Sequence, residues 1–245
     1  MRKNRINGFT LSEVLIAVGI IGVIAAISIP AFYENYQRQI LGAQLSKAVE
    51  QIETGCANIL NDANSRVEDG SLFTSLIQLT NRDLYGNDVD NPNDNIFGDG
   101  KFISRTKGYF GLSELTGDEK DNFFNEHNIS LTSKNIPLSS NKGSFSMYEV
   151  VDQNPIRQYR ATEIYIDVNG NQKPNAAGKD MFRFGIDDRG RLVPAGTEEY
   201  KNLDFSNAEL KNFPLASDAC IDGKITNYWS CTARVVQEGY KITYK

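Results

Sequence analysis

"KNRINGFTLSEVLIAVGIIGVIAAISIPAF", residues 3–32, decides how this 245-residue chain is read. From Val14 to Ile27 every residue is apolar or glycine. A helix needs about 20 largely apolar residues to cross a bilayer, and Phe9 to Phe32 meets that length. Arg2, Lys3 and Arg5 precede the run, which orients the N-terminus toward the cytoplasm and the bulk of the chain outside. A secretory signal would be cut at a small-residue site after the apolar run. The following "SIPAFYENYQRQ" has no clear site of that kind; Ala25 and Ala26 come nearest. Glu13 stands apart, because a carboxylate inside hydrocarbon is costly and is normally partnered.

Gly22, Ala26 and Pro30 recur at a spacing of four and form a small-residue stripe suited to close helix packing. Pro30 either kinks one long helix or divides it into two. If the chain is cut after Gly8, Phe9 carries a free amine and Glu13 becomes the fifth residue. Glu13 can then pair with the amine of a neighbouring copy.

"GFTLSEVLIAVGIIGVIAAISIPAF" resembles the N-terminal signature of type IV pilin-like proteins, including the type II secretion pseudopilins. The resemblance covers roughly residues 6–36, and the eight-residue charged leader fits it. It implies cleavage by a prepilin peptidase after Gly8, methylation of Phe9, and an assembly role for Glu13. Pro30 corresponds to the family proline, around which the helix can be locally extended in filaments.

Beyond Pro30 the pattern changes. Tyr33, Tyr36, Ile40, Leu41, Leu45, Ala48, Ile52 and Ile59 recur near three or four apart or at a multiple of that spacing, with polar residues filling the gaps. That spacing predicts an amphipathic helix. A helix from Thr10 to Asn61 would measure ~78 Å, with its first half suited to a filament core and its second half to packing on a sheet.

Residues 62–145 read as a loop-rich insertion. "LFTSLIQL", from Leu72, fits a short helix or strand, and "YGNDVDNPNDNIFGDG" is turn-rich. "LSELTGDEKDNFFNEHNI" reads as partly helical. Clear strands follow. "ATEIYIDV" (161–168) and "KDMFRFGID" (179–187) alternate, "RLVPAG" begins a third strand, and "FSMYEVV" (145–151) is a further one. These predict a small antiparallel meander. The closing "CTARVVQEGYKITY" holds two short apolar stretches around Glu238 and Gly239.

"IYIDVNGNQKPNAAGKDMFRFGIDDRGRLVPAG" also resembles a segment common in pseudopilin-like proteins. Its Asp-x-Asn-Gly turn, Pro-Asn pair and Gly-x-Asp-x-Phe strand are matched by Asp167, Asn169, Gly170, Pro174, Asn175, Gly178, Asp180 and Phe182. Some members bind calcium in a C-terminal loop. Asp167, Asn169 and Asp180 have oxygens hard enough for that ion, although capping of the turn by these side chains is the reading preferred.

The expected fold is therefore α+β: a long N-terminal helix packed on a small antiparallel sheet with a loop-rich insertion. The expected organisation is a leader (1–8), a transmembrane or filament-core half-helix (9–32), an amphipathic half-helix (33–61) and an extracytoplasmic α+β body (62–245). Cys220 and Cys231 lie eleven residues apart and can close one loop if the body lies outside the cytoplasm; the alternative is two reduced core cysteines. Cys56 falls in the helix and is expected to be a packing residue.

The net charge is −5, with no basic tract beyond the leader, so no nucleic-acid partner is expected. No Walker motif, dinucleotide fingerprint or nucleophile elbow is present. His127 is the single histidine and has no assignable nucleophile. No enzymatic role and no cofactor are expected. The resemblance implies other pilin or pseudopilin subunits, a prepilin peptidase and an inner-membrane assembly platform as partners, and residence in a bacterial inner membrane. The rival reading is a tethered extracytoplasmic ligand-binding or enzymatic domain that uses the helix only as an anchor.

Overall fold

A computed structural model describes residues 10–63, 71–72, 102, 106–115, 136–140, 146–149, 160–170, 172–205 and 208–244. His127, most of "LFTSLIQL" and the 85–100 loop lie outside the described residues. Contacts divide the chain into two units, Met1–Ile40 and Leu41–Lys245.

Helix α1 runs Leu11–Ala63 and contributes to both units; Pro30 sits inside it without dividing it. Proline removes one amide donor, so Ala26 loses its usual i+4 partner while the helix continues. The helix extends two residues past the expected Asn61.

In the second unit, α1 buries Leu45, Ala48, Val49, Ile52, Cys56 and Ile59. Leu45, Ala48, Ile52, Cys56 and Ile59 advance by three or four, and Val49 lies four after Leu45 and three before Ile52, which keeps them on one face. The face packs against a six-stranded antiparallel sheet in chain order: β1 Leu112–Glu114, β2 Ile136–Ser140, β3 Ser146–Glu149, β4 Ala161–Asp167, β5 Met181–Asp187 and β6 Leu192–Pro194. Each large apolar side chain removed from water contributes about 1.5–3 kcal/mol. The long helix on a small antiparallel sheet is the α+β architecture expected.

The meander is larger than the alternation alone showed. Leu112–Glu114, read as the start of a partly helical stretch, is an edge strand paired with β2. Three residues are too few for a period-two pattern to register. β5 begins at Met181 rather than Lys179, because Asp180 turns back to accept amides from Asn175 (2.8 Å) and Ala176 (2.7 Å).

Both faces of the β4–β5 pair are covered. Ile164, Ile166, Phe182, Phe184 and Ile186 meet α1. On the other face Ala161, with Val193 of the adjoining β6, packs against Ala195, Tyr200, Phe205, Leu210 and Phe213. That second layer comes from helix α2 (Glu198–Lys201), a 3-10 turn (Ala208–Asn212) and the segments joining them. Thr197 caps α2, its hydroxyl accepting the Tyr200 amide at 3.1 Å.

The C-terminal part comprises α3 (Ala216–Ala219), the hairpin β7–β8 (Cys220–Ile221 and Lys224–Ile225) and α4 (Cys231–Gln237). A disulfide joins Cys220 to Cys231, and Cys56 is a buried free thiol. The last residues return to the core, where Ile242 and Tyr244 join the cluster on α1. The Tyr244 hydroxyl donates to the Gly178 carbonyl at 2.5 Å. Gly42 lets the Tyr240 carbonyl lie against the helix; a Cβ there would overlap that carbonyl.

Candidate functional site

Phe9 and Gly8 lie outside the described residues, so the N-terminal site is built from Thr10 onward. Thr10 precedes the first helical residue. Its amide and its hydroxyl both donate to Glu13 Oε2, each at 2.8 Å. The Glu13 amide donates back to the Thr10 hydroxyl at 3.3 Å. This is a capping box, in which a threonine and the glutamate three residues on satisfy each other's orphan donors. The signal for it in the sequence is "TLSE", a Thr-x-x-Glu ahead of an apolar run, which the cost of an acid in hydrocarbon overshadows. The box gives Glu13 a local partner and leaves its carboxylate on an exposed helix end.

From Leu11 to Phe32 the large apolar side chains stand exposed; Leu15, Ile21, Ile27 and Phe32 are 64–76% accessible. Such an apolar surface in water is unfavourable and marks an interaction surface. Among the described residues this is one helix long and apolar enough to cross a membrane. No neighbouring atom stands where a Cβ at Gly19 or Gly22 would lie. Gly22 and Pro30 are both exposed on α1.

In the second unit Asp167, Asn169 and Asp180 lie around one turn. Asp167 Oδ1 accepts the Asn169 amide at 3.0 Å. Both Asp180 carboxylate oxygens are engaged by the Asn175 and Ala176 amides. Calcium takes about six to eight oxygen ligands, whereas these carboxylates face backbone donors and act as turn caps. Among the described residues no group of three His, Cys, Asp or Glu side chains is placed to hold a metal.

Among the described residues, charged clusters tie parts of the body together, and two of them bear on its stability. The first is buried beneath the second layer. Arg183 on β5 pairs with Glu163 on β4 at 2.7 Å, and its Nε donates to the Tyr200 hydroxyl at 2.9 Å. The guanidinium lies 4.6 Å from the Phe213 ring centre and 5.2 Å from that of Tyr165. Burial pushes the Glu163 carboxyl up, and Arg183 pulls it the other way. In an alternating strand these two positions read as solvent-facing, so their burial escaped the sequence.

The second cluster ties the tail. Arg234 on α4 donates to Asp222 (2.8 Å), Glu238 (2.9 Å), Thr243 (3.1 Å) and the Cys220 carbonyl (3.2 Å). The hydrogen bond from Arg234 holds Asp222 below its ordinary 3.8. Thr243, with Arg234 behind it, holds Glu238 below its ordinary 4.5. For groups depressed on folding, the unfolded chain binds more protons in the acid range, so stability falls as pH falls. The contribution of this staple is therefore present above the ordinary carboxylate values and lost as pH drops through the folded ones. Thermal melting across that window should show a shallower acid loss in Arg234→Met than in the parent; equal slopes would rule the staple out as a source of acid sensitivity.

Residues 3–29 match the prokaryotic N-terminal methylation motif. No curated protein and no solved structure matches the chain. The chain thus carries a prepilin-type methylation motif leading into a long apolar helix, with a small β-sheet in the body. That combination is consistent with the pilin-like superfamily, and the apolar helix with the single membrane-spanning segment typical of such proteins.

Proposed function

We propose that this chain is a structural subunit of a pilin-like filament, a type II secretion pseudopilus or a type IV pilus-like assembly. In this reading it is inserted in a bacterial inner membrane, cut after Gly8 by a prepilin peptidase, and methylated on Phe9. It then assembles with other pilin-like subunits through α1 at an inner-membrane platform. Glu13 registers the incoming subunit against a neighbour's amine, and Gly22 and Pro30 adapt the helix to packing. The chain catalyses nothing; the energy for assembly comes from a separate ATPase. One observation carries the reading: the methylation motif at residues 3–29 continues into a helix whose large apolar side chains stand exposed from Leu11 to Phe32.

The test is intact mass and N-terminal sequencing of the protein taken from its native membrane. The expected result is a chain starting at Phe9 with an added mass of about 14 Da, one methyl in place of one hydrogen. A chain that keeps Met1, or is cut after Ala26, would lack the Phe9 amine and end the filament reading.

A further inference from the structure

We propose that, before assembly, Tyr33 and Tyr36 seat α1 in the outer headgroup layer of the bilayer, so that Glu13 lies at the inner boundary rather than in hydrocarbon. The inference rests on the membrane-resident stage of the proposed function and concerns only the first unit.

The distances support it. Glu13 and Glu34 are the charged residues that bracket a charge-free interval, Val14 to Tyr33, of 20 residues. At 1.5 Å per residue that interval spans about 30 Å, the thickness of the hydrocarbon core. The helix is continuous through it, Pro30 included, so no break shortens the span. With Glu34 just outside the hydrocarbon, Glu13 reaches the opposite boundary, and the capping box faces headgroups rather than acyl chains.

The outer end is built for that position. Phe32, Tyr33, Tyr36 and Ile40 are 76, 58, 54 and 39% exposed. At 100° per residue, Ile29, Phe32, Tyr33, Tyr36 and Ile40 fall within one arc of about 100°. Glu34 and Arg38 lie outside that arc and pair with each other at 3.9 Å. A tyrosine places an apolar ring toward the chains and a hydroxyl toward water, which is why such residues collect at membrane interfaces. The stripe continues the lipid-facing surface outward, and its occupant is the lipid headgroup region.

The test uses the full chain reconstituted in phosphatidylcholine–phosphatidylglycerol vesicles. A thiol-reactive bimane is placed on Gln37→Cys, next to Tyr36 and one helical turn from Tyr33, or on Ile21→Cys at mid-span. The native cysteines do not compete: Cys220 and Cys231 are joined, and Cys56 is buried, its thiol pushed up to about 12 by that burial. Quenching is compared between a nitroxide on the lipid headgroup and one near the acyl-chain end. The label at 37 should be quenched about threefold more by the headgroup nitroxide, and the label at 21 by the deep one. Replacing Tyr33 and Tyr36 by serine should abolish the preference at 37 while leaving deep quenching at 21. A label at 37 that prefers the deep nitroxide, responds to neither, or ignores the loss of both tyrosines overturns the proposal. If 21 is not quenched by the deep probe, the helix does not enter the bilayer and the membrane stage of the proposed function fails as well.

Discussion

Glu13→Ala is expected to leave the chain in the membrane fraction and to cut the yield of sheared filaments by more than about tenfold, a loss equivalent to about 1.4 kcal/mol per docking step. The proposed function gives this carboxylate a neighbour's Phe9 amine as its partner during docking. The structure adds a complication that also supplies the control. Glu13 caps its own helix through Thr10, so removing it also frays the first turn, at a cost of about 0.5–2 kcal/mol. Two further variants separate the effects. Thr10→Ala removes the hydroxyl half of the cap and keeps the charge. Glu13→Gln keeps an oxygen that can accept from Thr10 and removes the charge. If the charge docks the subunit, Thr10→Ala assembles and Glu13→Gln does not. Normal filament yield from Glu13→Gln would end the charge-pairing role.

Arg183→Ala is expected to destabilise the body by about 3–5 kcal/mol, because it leaves Glu163 buried without its counter-charge and Tyr200 without its donor. Denaturant titration of the full chain in detergent would measure this. The pH dependence gives a second reading. Burial already raises the Glu163 carboxyl, and without Arg183 that tendency is unopposed. A carboxyl raised on folding holds its proton longer in the folded chain, so the penalty grows as pH rises through the ordinary carboxylate range and eases in acid. Replacing both partners, as Glu163→Leu with Arg183→Met, should recover much of the loss. A single variant that loses under about 1 kcal/mol would show that the pair contributes little beyond packing.

What could be read beforehand followed the length and regularity of each element. The core face of α1 was legible from spacing, since Leu45, Ala48, Ile52 and Ile59 repeat a helical period. β4 and β5 were legible because seven residues suffice for alternation to show. β1 and β2 were not, since their few residues lie in polar stretches and gain their order from pairing, β2 with β3 and β1 with β2. The second buried face was hidden for a different reason. Tyr200, Phe205, Leu210 and Phe213 come from short turns without a common period, so nothing announced that they cover Glu163 and Arg183. At the N-terminus, the motif residues were plain, but the Thr10–Glu13 box required the pair to be read together.

The return of the tail to α1 bears on timing. Leu45 and Ile52 are synthesised well before Ile242 and Tyr244, which complete the same cluster. At ordinary synthesis rates of about 5–20 residues per second, roughly 10–40 s separate the two ends of that contact. Throughout that interval the apolar face of the helix lacks part of its cover. The finished core is thus a record that Ile242 and Tyr244 have been delivered: a subunit cut before them keeps its long apolar helix but presents unfinished apolar surface to whatever surveys the compartment.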